Sequence, residues 1–155
     1  MDKKILYVDM DGVCCCFYTG VTSLEENLPW DRENVDRICE ANPRVFKTLP
    51  EIDGYKESIE ELKDMYEIYF LSTPMQNVPE SYMDKRIWLR EKFGDWVKER
   101  LILTHRKDLN RGDYIIDDTK NSGVDKFQGE HIHFGTEEFP NWESVTKYLK
   151  DKYQS

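Results

Sequence analysis

The strongest constraint in this sequence is a recurring unit, a short apolar run that stops abruptly at an acidic or hydroxyl residue. Ile5-Leu6-Tyr7-Val8 runs into Asp9 and Asp11, Ile68-Tyr69-Phe70-Leu71 into Ser72-Thr73-Pro74, and Tyr114-Ile115-Ile116 into Asp117-Asp118. Leu101-Ile102-Leu103 is followed shortly by Lys107, and a last run spans Glu130 to Phe134. Apolar runs this short, without polar alternation, suit strands buried on both faces, as in a parallel sheet.

Helical signals fill the intervals. Asp31 is placed to cap a helix through Ala41, which Pro43 closes. After Gly54, the residues Ile59, Leu62 and Tyr66 fall at helical spacing. A further helix is expected from about Glu80 to Phe93, with Gly94 as a left-handed stop, and a final one from about Asn141 to Lys152. Strand alternating with helix predicts an α/β fold with a central parallel sheet of about five strands, covered on both faces. The more polar stretch from about 19 to 50 lies outside that rhythm. It reads as a small helical cap inserted after the first strand of a single domain over residues 1–155.

Composition narrows the function. With 39% hydrophobic and 34% charged residues, the chain has the balance of a globular protein. A net charge of −9 argues against binding a nucleic-acid polymer, which needs a surplus of Lys and Arg. It does not argue against a small phosphorylated substrate held by a cation and placed lysines. No stretch approaches the ~20 apolar residues of a membrane span. The opening from Met1 to Asp9 is too short for a signal peptide, so the expected location is the cytoplasm. Cys14, Cys15 and Cys16 are consecutive and Cys39 stands apart, a spacing that suits no tetrahedral metal site. A thiol-nucleophile phosphatase is also excluded, since Arg44 follows Cys39 one position too early for its phosphate-cradling arginine. The cysteines are expected to be small packing residues.

In an open parallel sheet, ligands bind outside the carboxyl ends of the strands. Asp9, Asp11, Ser72, Lys107, Asp117 and Asp118 are therefore expected to meet at one rim. Taken singly each has an ordinary reading: Asp-x-Asp-Gly as a turn, Asp-Asp as a helix cap, Lys107 as a solvated lysine. Together they form a coherent set. Asp9 can attack phosphorus, and Asp11 can protonate the leaving oxygen and then activate water. Asp9, Asp117 and Asp118 offer hard oxygen ligands suited to Mg²⁺. Ser72 can donate to phosphate oxygens, and Lys107 can neutralise developing charge.

These stretches resemble the four motifs of the haloacid dehalogenase-like (HAD) superfamily. Within it they are similar to the 5′(3′)-deoxyribonucleotidase family and its bacterial relatives. The narrower likeness rests on Val8-Asp9-Met10-Asp11-Gly12-Val13 with Phe17, and on Lys92-Phe93-Gly94 continuing to Leu103-Thr104-His105-Arg106-Lys107. It extends through Asp113 to Thr119 and the tail His131-Ile132-His133-Phe134-Gly135-Thr136. The resemblance implies a Rossmannoid three-layer sandwich and a phosphatase working through an aspartyl-phosphate on nucleoside monophosphates. It implies Mg²⁺ held by Asp9, the backbone carbonyl of Asp11, and Asp118, with Asp117 in support. Phosphate would be bound by Ser72, Thr73 and Lys107, and the base pocket lined by Phe17. Trp30 and Phe46 are either further pocket residues or cap core. A phosphatase of another small metabolite, or a phosphate-binding protein without turnover, are the alternative readings.

Overall fold

The computed structural model describes residues 2–155, so Met1, the first residue of the opening run, lies outside the described residues. Among these residues five strands form one sheet: β1 (Ile5–Val8), β2 (Glu67–Ser72), β3 (Leu101–Leu103), β4 (Tyr114–Asp117) and β5 (Glu130–His133). Their order is β3-β2-β1-β4-β5 and every pairing is parallel. The chain steps outward from β1 through β2 to β3, then returns to place β4 against the other side of β1. Neighbouring strands β1 and β4 therefore send their connections in opposite directions. This is the switch point at which open α/β sheets hold ligands.

Among the described residues five α-helices accompany the sheet: α1 (Phe17–Thr22), α2 (Arg32–Ala41), α3 (Tyr55–Leu62), α4 (Pro79–Phe93) and α5 (Trp142–Gln154). Asp31 caps α2 by accepting from Asn34 N, as its sequence position predicts. Asn141 caps α5 through a reciprocal pair with Ser144, which satisfies two otherwise orphaned donors. Two expectations differ in detail. Tyr66 lies beyond the end of α3, where its hydroxyl donates to Leu149 O and ties the chain before β2 to α5. Gly94 has the expected positive φ of 64°, but its ψ of −142° is not left-handed helical, because a 3₁₀ turn, Gly94–Val97, follows directly.

Alternate strand residues face opposite sides of the sheet. Leu6, Val8, Ile68, Phe70 and Ile116 join α3, α4 and α5 in the main core, around Ile59, Leu62, Trp88, Leu89 and Leu149. Tyr7, Leu71 and Ile115 face the other way, against Val124 and Phe127. Among the described residues no α-helix enters that second cluster, and the layer there is built around the 3₁₀ turn Val124–Lys126.

Two buried indoles fix the segments around the first motif. Trp142 Nε1 donates to Val13 O at 2.8 Å, and Trp88 Nε1 donates to Leu49 O at 3.0 Å. The outgoing and returning chains of the 19–50 segment pair with each other: Cys16 N donates to Pro50 O at 2.7 Å and Ile52 N to Cys14 O at 2.9 Å. Cys14, Cys15 and Cys39 are buried and unbridged, as packing residues would be, and burial pushes all three thiols up from their ordinary pKa.

Candidate active site

Asp9 follows β1 directly, and its N–H donates to Ile116 O at 2.9 Å, so the ends of β1 and β4 are pinned together. That brings Asp117, the last residue of β4, to the side of Asp9. Lys107, just past β3 and only 3% exposed, reaches both: its Nζ lies 3.0 Å from Asp9 Oδ1 and 2.6 Å from Asp117 Oδ2. The Lys107 backbone is held in turn, donating to Ser122 O at 2.7 Å. Asp117 Oδ1 accepts from Thr119 N at 3.0 Å. Ligand atoms of Asp9, Asp117 and Asp118 all lie within 4.8 Å of one another. Gly12, at φ +82°, gives the room: a Cβ there would stand 2.0 Å from Asp118 Oδ2.

The electrostatics follow from this crowding. Burial lifts the Asp9 carboxyl well above its ordinary pKa; Lys107 opposes the shift, and Asp117 and Asp118 add to it. Asp118 is pushed up to about 6, by burial first and by Asp117 second. Burial works against the Lys107 ammonium, but the carboxylates of Asp9 and Asp117 outweigh it and hold its pKa above the usual value. A buried set of carboxylate oxygens short of positive charge, with no soft donor among them, fits a hard divalent cation.

Ser72, at the end of β2, is buried, and its Oγ has no hydrogen-bond partner among the described residues. An orphaned buried hydroxyl at a strand's carboxyl end fits a phosphate oxygen as its missing partner. Thr73 lines the same cleft as Asp9 and Lys107, and its hydroxyl donates to Thr104 O at 2.8 Å. That cleft has a volume of about 530 Å³. Phe17, Tyr18 and Trp30 bring aromatic surface to it, while Thr119, Asn121 and Ser122 bring polar groups. Trp30 and Phe46, equivalent candidates in the sequence, part company here. Trp30 is a lining residue and 46% exposed; Phe46 is 2% exposed and stacks beneath Phe17 with ring centroids 5.3 Å apart.

Sequence reasoning missed Lys85. Its side chain is 1% exposed, and its Nζ donates to Asp11 Oδ2 at 2.9 Å and lies 4.9 Å from the centre of the Phe46 ring. The neighbouring Asp84, fully buried, takes a two-pronged ion pair from Arg44, both contacts at 2.8 Å. One turn of α4 thus holds the 19–50 segment through Arg44 and Asp11 through Lys85. A signal existed: Ser81, Asp84, Lys85, Trp88 and Leu89 form one helical stripe, and two charges on an apolar stripe need a reason.

The chain is similar to known proteins of one family. The family described as 5′ nucleotidase, deoxy (pyrimidine), cytosolic type C protein matches residues 3–145. A Vibrio phage KVP40 protein named "Putative 5′(3′)-deoxyribonucleotidase" is 40% identical over 148 residues, covering 96% of this chain and 85% of the relative. The protein of Bacillus subtilis named 5′(3′)-deoxyribonucleotidase is 26% identical over 174 residues, covering 95% and 99%. Among solved structures, a haloacid dehalogenase-like family hydrolase from Xanthomonas campestris superposes with a TM-score of 0.59. It covers 97% of this chain and 96% of that one at 9% identity, a likeness of fold alone. The chain thus belongs to the cytosolic type C 5′(3′)-deoxyribonucleotidase family, on a HAD-like core, and is a phosphoric monoester hydrolase.

Proposed function

We propose that this chain is a Mg²⁺-dependent, cytoplasmic 5′(3′)-deoxyribonucleotidase that dephosphorylates nucleoside monophosphates through an aspartyl-phosphate on Asp9. The single observation that carries the reading is the buried Asp9–Lys107–Asp117 ion-pair chain on the floor of an aromatic-lined cleft. Asp9 and Asp118, with Asp117 in support, would hold the cation, and the family resemblance adds the backbone carbonyl of Asp11. When bound, Mg²⁺ supplies positive charge against the phosphoryl oxygens.

The chain's own residues do the rest. The Asp9 carboxylate attacks phosphorus in line with the ester oxygen, which leaves as the P–O bond breaks and takes a proton from Asp11. Water then attacks the aspartyl-phosphate, giving its proton to Asp11 and releasing inorganic phosphate and free Asp9. Lys107 stays beside Asp9 through both steps, and Ser72 Oγ and Thr73 bind phosphate oxygens. Lys85 holds the Asp11 carboxylate in place from below. Phe17, with Trp30 and Tyr18 around it, offers flat apolar surface to a nucleobase, and the 19–50 segment acts as the cap that selects the leaving group.

The test is a substrate panel of nucleoside monophosphates, sugar phosphates and an aryl phosphate, with Mg²⁺ or EDTA, on wild type and Asp9→Asn. Nucleotides should be preferred, EDTA should abolish turnover, and the isosteric Asp9→Asn should lose nearly all of it while keeping the fold, read as a cooperative melting transition. Retention of activity within about tenfold, roughly 1.4 kcal/mol of barrier, would sink the covalent mechanism.

A further inference from the structure

The hydrolytic chemistry leaves His131 and His133 without a task, although both stand at the edge of the acid cluster. They sit two apart on β5 and so share a face of the sheet. Their rings stack, with centroids 4.8 Å apart and planes 23° from parallel. His131 Nε2 lies 2.9 Å from Asp117 O, and His133 Nε2 lies 3.0 Å from Asp118 O. A carbonyl oxygen can only accept, so each Nε2 must carry the proton and donate.

The location makes these bonds more than edge decoration. β4 ends at Asp117, and its pairing with β5 ends at the Asp117–His133 register. Asp117 O still accepts from Phe134 N at 3.0 Å. Asp118 O has no backbone donor among the described residues, and His133 is its partner. Two successive peptide carbonyls, those of the two acids, are thus gripped by two adjacent imidazoles from the neighbouring strand. Fixing the peptide planes on both sides of a Cα fixes the direction of its Cα–Cβ bond; the two clamped carbonyls flank Asp118, and the β4 ladder holds the plane before Asp117. The clamp therefore aims Asp117 at Lys107 and Asp118 at the space beside Gly12, where the three carboxylates converge.

We propose that His131 and His133 are positioning residues whose paired Nε2–H donors orient Asp117 and Asp118 and so set the affinity of the cluster for a divalent cation. The inference rests on the reading of that cluster as a cation site. Partners behind a metal's ligands typically govern its affinity by 10–100-fold, and that is the effect expected here. The competing explanation is packing alone: two flat rings stacked on a strand.

Three kinds of replacement separate the two. Phe keeps the ring and loses the donor, Gln keeps a donor at nearly the reach of Nε2, and Asn has a donor too short to arrive. Mg²⁺ affinity is read from the Mg²⁺ dependence of the melting temperature, and Mn²⁺ binding from electron paramagnetic resonance, neither of which requires turnover. His131→Phe and His133→Phe should each weaken binding about 10–100-fold. His133→Gln should recover to within about threefold of wild type, and His133→Asn should fall with the Phe variant, which keeps the test decisive if a Phe variant does not fold. Equal affinities for His133→Phe, His133→Gln and His133→Asn, with wild type binding Mg²⁺ and Asp118→Ala failing to, overturn the clamp and leave the cation site standing. Absence of saturable Mg²⁺ or Mn²⁺ binding in wild type overturns the cation reading and the clamp with it.

Discussion

Gly12→Ala is the sharpest perturbation the site offers, because it adds one carbon at a position with no room for it. The residue has φ +82°, which costs a non-glycine residue about 1–2 kcal/mol. The new Cβ would stand 2.0 Å from Asp118 Oδ2 and 2.5 Å from its Cγ. Such separations are far inside contact distance, so something must move by more than an ångström. The Gly12 backbone is poorly placed to yield, since its N–H donates to Cys15 O at 2.7 Å and the next three N–H groups all donate to Met10 O. The Asp118 side chain yields more easily, by rotating about its own Cα–Cβ bond and leaving the carboxylate cluster. The damage should therefore fall on the site and not on the fold. A loss of about 1–2 kcal/mol corresponds to roughly 2–8 °C in melting temperature for a chain of this size. Turnover of a nucleoside monophosphate should fall at least about 100-fold, some 2.7 kcal/mol of barrier, and stabilisation by Mg²⁺ should weaken in parallel. The double variant Gly12→Ala/Asp118→Ala relieves the clash, so it should recover part of the lost melting temperature and none of the activity. Scanning calorimetry, a Mg²⁺ titration and steady-state kinetics on the three proteins decide the matter. If Gly12→Ala works within tenfold of wild type, or the double variant regains activity, the placement of Asp118 is not what the reaction depends on.

Three further outcomes follow from the same geometry. In Phe17→Ala, loss of base stacking should raise KM for a nucleotide by an amount worth about 1–3 kcal/mol while sparing an aryl phosphate; an equal fall on both substrates makes Phe17 a packing residue beneath Trp30. Lys85→Met should lower nucleotide turnover about 10–100-fold, worth roughly 1.4–2.7 kcal/mol of barrier, with little change in melting temperature: Met fits the buried slot beside Phe46, and the Asp11 it abandons is 27% exposed and can be solvated. A collapse in stability would mean the ammonium is structural. For pH, the folded values of Asp9 and Asp118 are raised, so the stability they allow is present below the unfolded carboxylate range and lost as pH rises through their folded values, about 6 for Asp118. The melting temperature in EDTA should therefore fall, relative to that in saturating Mg²⁺, between about pH 4 and pH 7; taking the difference removes groups that titrate alike in both curves, while His131, whose pKa burial lowers, acts in the opposite direction. Parallel curves would show that the carboxylates do not feel the cation.

What could be read from the sequence and what could not differ by the range over which each signal acts. β1 was legible to the residue because a strand buried on both sides must be apolar throughout, a demand each residue meets locally; β3, the half-buried edge strand, was legible because its three residues are apolar too. The convergence of Asp9, Lys107 and Asp117 was legible because strand ends in a parallel sheet share one edge whatever lies between them. Lys85 was not, because its partner Asp11 lies 74 residues away, and a lysine in a helix is ordinarily solvated. Trp30 and Phe46 could not be told apart, since both are aromatic residues in one polar stretch and only the path of that stretch over Phe17 exposes one ring and buries the other. The histidines were hidden for another reason. Their partners are backbone carbonyls, which every residue possesses, so no pattern of side-chain types announces them. The acids that perform a reaction must be particular residue types and so leave a trace in the sequence. The groups that aim those acids need only a donor at the right distance, and distance across a sheet is a property of the fold.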